Sequence, residues 1–156
     1  MGAQAMWLER LSGGVVPIIT LEDAKDKLRM ISPDGEDPEL DAEISRAVLA
    51  ASTALDVDED GFGGLGFPLV SQEWVRKGAA FSDTFLRLPF ARVQSVAAVS
   101  CTTAQEGEYE LPAEDYVLVG KGRLKVIHIL PGVTLPQLSD RPDAVSIRFT
   151  AGFPSV

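Results

Sequence analysis

The sequence predicts an α+β domain: a short N-terminal helical part of two helices, followed by an antiparallel β-sheet of five or six strands. Three observations predict it. Apolar residues recur at helical spacing between positions 20 and 55, then at a period near two from position 69 onward. Helices come first and strands afterwards, without the βαβ alternation of a parallel sheet. Turn signals at Gly78, Gly107, Gly120-Lys121-Gly122, Pro131-Gly132 and "SDRPD" divide the second half into strand-sized pieces.

Residues 1 to 19 read as a mobile N-terminal arm, broken at Gly13-Gly14 and extended at Pro17, whose ordering calls for a partner. Residues 20 to 156 form a single domain, with helices over 20–56, an acidic glycine-rich loop over 56–67 and a β part over 68–153. In "TLEDAKDKLRMI", Thr20 is a suitable N-cap, Asp23 a shortened capping-box acid, and Leu21, Ala24, Leu28 and Ile31 share a face. "SPDGED" breaks this helix. Asp37 then caps a second one, with Pro38 at the first position, where its missing N–H costs nothing. Leu40, Ile44, Ala47, Val48, Ala51 and Leu55 make its apolar stripe, facing the first helix or another subunit. The predicted strands lie in "LVSQEWVRKG", "DTFLRLPF", "VQSVAAVSCTT", "EYELPAEDYVLVG", "GRLKVIHIL" and "AVSIRFTAGF".

A chain of 156 residues is one domain's worth. Apolar residues at 46% and charged ones at 24% are ordinary for a folded globular protein. Fourteen basic against twenty-three acidic residues leave a net charge of -9, which argues against a surface that wraps duplex DNA by neutralising phosphates. Cys101 is the only cysteine, so an internal disulfide and a cysteine-based metal site are both excluded. No run approaches the roughly 20 apolar residues of a membrane span, and the N-terminus lacks the apolar core of an export signal.

"DVDEDGFGGLGF", residues 56 to 67, matches two motifs at once. Asp56, Asp58, Asp60 and Gly61 have the spacing that opens a calcium loop. The twelfth position is Phe67 where a bidentate Glu belongs, and a strand follows where a helix should. Gly61, Gly63 and Gly66 spell a dinucleotide fingerprint, but with the helix before it and the strand after it, the reverse of what places pyrophosphate on a helix N-terminus. A flexible acidic loop is the expected reading, with no metal and no cofactor; a calcium-stabilised binding module is the alternative. "GKGR" at 120 to 123 is a hairpin turn, not a phosphate loop. His128, the single histidine, sits in an apolar strand with no nucleophile-elbow motif to accompany it. Acids are too plentiful for any pair to mark a carboxylate hydrolase, so no catalytic residue is assigned and no enzyme is expected. Trp74 and Tyr116 read as core or sheet-face aromatics. Trp7 in the arm, Phe62, Leu65 and Phe67 in the loop, and Phe153 near the end are the candidate partner-binding residues.

In order, "ITLEDAKDKLRM", "DPELDAEISRAVLAAS", "SQEW", "LRLPFARVQSVAAV", "LPAEDYVLV" and "VSIRFTAGF" resemble the head-tail connector, or adaptor, family of tailed bacteriophages and related prophages. The likeness runs over residues 18 to 153. It is carried by Thr20 to Arg29, Gln72 and Trp74, Leu88-Pro89 with Val93-Gln94-Ser95-Val96, Tyr116-Val117, and Thr150-Ala151-Gly152-Phe153. The resemblance implies a non-enzymatic virion protein of the neck region, made in the host cytoplasm. It implies a ring, usually of twelve copies, between the portal protein and a stopper or tail-completion protein, with DNA passing through the lumen without specific binding and no membrane partner. Two departures stand out. The acidic glycine-rich stretch replaces a shorter connection, and the chain stops at Val156, where the family often continues into a portal-engaging helix.

Overall fold

In the last strand, Val145, Ile147, Phe149 and Ala151 are buried while Arg148 between them is exposed. A period of two with one apolar face selects a sheet packed on that face. A computed structural model of the chain describes residues 6–28, 37–123 and 125–154. Its elements are β1 (Trp7–Ser12), α1 (Leu21–Leu28), α2 (Pro38–Leu55), β2 (Gln72–Gly78), α3 (Asp83–Leu86), β3 (Val93–Thr102), β4 (Glu108–Glu110), a 3-10 turn (Ala113–Asp115), β5 (Tyr116–Val119), β6 (Val126–Ile129) and β7 (Val145–Ala151). The mixed α+β class is as the sequence predicts. The strands form two sheets: a five-stranded antiparallel one in the order β1-β2-β7-β3-β4, and the β5–β6 hairpin.

The core lies where these sheets and the connecting segments meet. Trp74 from β2 packs edge-on against Phe90 at 4.9 Å between ring centres, and Phe90 meets Phe149 of β7 at 6.1 Å. Val99, Leu111, Ile127 and Ile147 close the same cluster. Burying each such side chain contributes about 2 kcal/mol by transfer from water.

The helical part follows its capping signals. The Thr20 Oγ1 accepts from the Asp23 N–H at 3.1 Å, and the Asp37 carboxylate accepts from the Glu39 and Leu40 N–H groups, each at 3.2 Å. Lys25 of α1 pairs with Asp41 of α2 at 2.6 Å. Ile31 and the "SPDGED" break fall outside the described residues. Of the apolar stripe on α2, Ile44 is buried, but Ala47, Ala51 and Leu55 are exposed.

Three expectations need correction. The expected free arm contains β1, which pairs antiparallel with β2 from Trp7↔Lys77 to Ser12↔Glu73 and so lies at one edge of the main sheet. Its WLERLS run alternates half-buried Leu8 and Arg10 with exposed Trp7 and Glu9, which is enough pattern to add a strand. "DTFLRLPF" is not a strand. The Ser82 hydroxyl oxygen accepts from the Phe85 N–H at 3.2 Å and caps the short helix α3, whose turn sends Phe85 inward, with Leu88 of the segment after it also buried. "EYELPAEDYVLVG" is split at Pro112, which donates no hydrogen bond; β4 stays on the main sheet and β5 pairs with β6 instead.

Candidate interaction site

The acidic loop is organised by its own first residue. Asp56, 4% exposed, sits past the end of α2. One carboxylate oxygen accepts from the N–H groups of Val57 at 2.9 Å and Leu69 at 3.0 Å; the other accepts from Gln72 Nε2 at 2.7 Å. The carboxylate therefore bolts the end of α2 to the start of the sheet. Asp58 makes a second local turn, accepting from the N–H groups of Asp60 at 3.0 Å and Phe62 at 2.8 Å. Gly64 holds φ +50, and a Cβ there would run into the carbonyls of Leu55 and Asp56, so only glycine lets the loop turn back on the helix. The carboxylates of Asp56, Asp58 and Asp60 do not converge: no group of three His, Cys, Asp or Glu side chains able to hold a metal occurs among the described residues.

The five predicted partner-binding residues fall into two groups and a remainder. Trp7, 38% exposed, and Phe62, 72% exposed, line one depression together with Met6, Leu8 and Pro89. Phe67, half-buried, meets Phe153 at 6.2 Å on the floor of a second one of about 630 Å³. Leu65 is exposed and lines neither. A third apolar surface is a groove of about 600 Å³ between α1 and α2, lined by Ile18, Leu28, Leu40, Ile44 and Val48.

The second depression also carries cations absent from the sequence-based reading. Arg92 stacks on Phe153, its guanidinium carbon 4.4 Å from the ring centre, and Arg123 and Lys125 from the β5–β6 turn complete the wall. The turn was legible as "GKGR", but its meeting with Arg92 depends on how the hairpin folds onto β3, and no local spacing carries that. Gly152, at φ +111, lets this floor approach the segment before β2: a Cβ there would strike the Val70 carbonyl.

Groups with reactive potential are dispersed. His128 is exposed on β6, whereas Cys101 is buried in the core, where loss of hydration pushes its thiol pKa up. Burial, and then the charge of Glu110, raises the Tyr116 phenol. Arg141 lowers the half-buried Asp143 carboxyl through a direct hydrogen bond at 3.0 Å.

Neither a protein-family model nor a curated protein matches the chain at a significant level. Solved structures do. A chain in the neck of an empty gene transfer agent (GTA) particle, computed with C6 symmetry, superposes with a TM-score of 0.64 at 22% identity, over 94% of this chain and 71% of that one. The chain has the fold of a GTA neck chain. A chain of the native GTA virion gives a TM-score of 0.56 at 24% identity, over 94% of this chain and 72% of that one. The neck fold spans helices and both sheets, and agrees with the connector resemblance carried by the order of segments.

Proposed function

We propose that this protein is a structural component of the neck of a phage-like particle, located in the virion between head and tail. The observation that carries the reading is the fold that 94% of this chain shares with 71% of the GTA neck chain. In the finer form of the reading, copies form a ring between a portal protein and a stopper or tail-completion protein, and DNA crosses the lumen without specific binding. The chain catalyses no reaction in this role. Two apolar depressions and one walled by cations support partner contacts on more than one side. Its net charge of -9 suits a passage along which a polyanion slides without sticking.

The test is deletion of the coding sequence from a particle-producing genome, followed by electron microscopy. Heads without attached tails are expected, with tails restored by supplying the chain separately. Normal tailed particles in its absence would overturn the reading.

A further inference from the structure

Acidic residues outnumber basic ones by 23 to 14 in this chain, yet two long stretches hold no acid at all. Residues 84–105 and 116–139 contain Arg87, Arg92, Lys121, Arg123 and Lys125 and not one Asp or Glu. The fold lays these stretches side by side. The Leu88 N–H donates to the Lys125 carbonyl at 2.9 Å, and Arg87 bridges Val126 in antiparallel register. Both stretches supply the depression of about 630 Å³ that Arg92, Arg123 and Lys125 wall and that Phe67 and Phe153 floor.

The cleft is not neutralised from within. Among the described residues, no carboxylate lies at ion-pair distance from Arg92, Arg123 or Lys125, whereas Arg10, Lys25, Lys77, Arg141 and Arg148 each have one. No acid lines the cleft itself. Asp23 lines the depression that shares Phe153 and Pro154 with it, but that carboxylate accepts from the Thr20 hydroxyl at 2.7 Å.

We infer that this cleft seats a short acidic segment of a different protein, with carboxylates for the cations and an apolar side chain for the floor. Charge complementarity selects an anion, and the geometry selects a carboxylate-bearing peptide. Arg92 lies over Phe153 with its guanidinium carbon 4.4 Å from the ring centre, which leaves in-plane N–H groups to grip a carboxylate through both oxygens. The exposed Phe153 beside them is apolar area that a protein side chain covers and a phosphate backbone does not use. A DNA duplex would lie across the rim of this concave site, where the many acids of a chain of net charge -9 repel it. A second copy would offer its acid-rich run 58–62, but Asp58 already serves the Asp60 and Phe62 N–H groups and Glu59 faces Arg10 at 3.8 Å. The inference rests on the neck reading only for which protein supplies the segment.

The probe is a fluorescent synthetic peptide, a run of Glu residues interrupted by one Phe, whose binding to the full chain is read by anisotropy. Binding is expected to weaken at least about tenfold when Arg92, Arg123 and Lys125 all become Gln, when the peptide's Glu residues become Gln, or when salt rises to about 0.5 M. Phe153→Ala should weaken it by less, and Arg148→Gln, which removes a cation already paired with Glu73, should leave it unchanged. Circular dichroism checks folding, and the uncharged peptide tests the same contact on the unaltered chain. A wild type that does not bind the peptide, or binding that ignores both the cleft variant and the peptide's charge, overturns the inference. A fluorescent DNA duplex that binds the cleft more tightly than the peptide would assign it to nucleic acid and overturn it as well. So would a cleft variant that loses self-association in sedimentation, which would assign the cleft to a second copy. Peptide binding by a chain dispensable for tailed particles would keep the cleft and remove the neck reading; failure of the peptide with a chain that tailed particles require would do the reverse.

Discussion

Asp56 shows how one carboxylate connects two halves of the chain. It is the first acid of a run that reads as a calcium loop, yet its oxygens serve two backbone N–H groups and the Gln72 amide. Replacing it with Ala leaves those buried donors without acceptors, a loss of about 3 kcal/mol. Asp56→Asn should recover most of that, because its amide oxygen still accepts and Gln72 can turn its own oxygen toward the new N–H₂. Urea unfolding of the two variants checks the prediction; equal stabilities for Asp56→Ala and wild type would contradict it. The sequence placed Asp56 at a loop start but not in this role, since Leu69 and Gln72 lie 13 and 16 residues further on. Local acids at Thr20-Asp23 and Asp37 were legible because a cap needs only its next three residues.

At the scale of elements, strands with strict alternation were legible and segments with competing signals were not. The β7 run, with Val145, Ile147, Phe149 and Ala151 on one face, admits one register, and β2 and β3 pair on either side of it. "DTFLRLPF" has the alternation of a strand, but Ser82 and Asp83 supply a helix cap and the cap wins. The arm hid β1 because six residues with two charges carry little pattern, and the strand forms only because β2 offers an open edge. Removing residues 1 to 12 should therefore do more than shorten a tail. It strips Leu8 from the core boundary and Arg10 from the Trp74 ring, 6.0 Å away, and should lower stability by roughly 3 kcal/mol. It also exposes the β2 edge, so the truncated chain is expected to aggregate at concentrations where the full chain stays dispersed. Unfolding curves and turbidity measure both effects; a truncated chain as stable and as soluble as the full one would mean that β1 contributes nothing to the sheet.

For the whole molecule, the order of short segments was more informative than any motif. The calcium-like aspartates do not converge and the glycine run lies between helix α2 and strand β2, whereas the order of helices, Gln72 and Trp74, Val93 to Val96, and Thr150 to Phe153 leads to the neck fold. Surfaces were only half legible. Exposed aromatics could be named, but the pairing of Trp7 with Phe62 and of Phe67 with Phe153 depends on contacts between residues far apart in the chain. The gathering of Arg92, Arg123 and Lys125 was hidden in the same way, since a net value of -9 says nothing of where the cations lie. The central proposal is that this chain acts as one of many identical copies in a neck. The most direct test is mass in solution by light scattering, for the chain alone at rising concentration and with the portal of the same particle. A defined closed multiple of the 16.7-kDa chain, alone or on the portal, is predicted. A species of 16.7 kDa that stays single and ignores the portal would contradict the account.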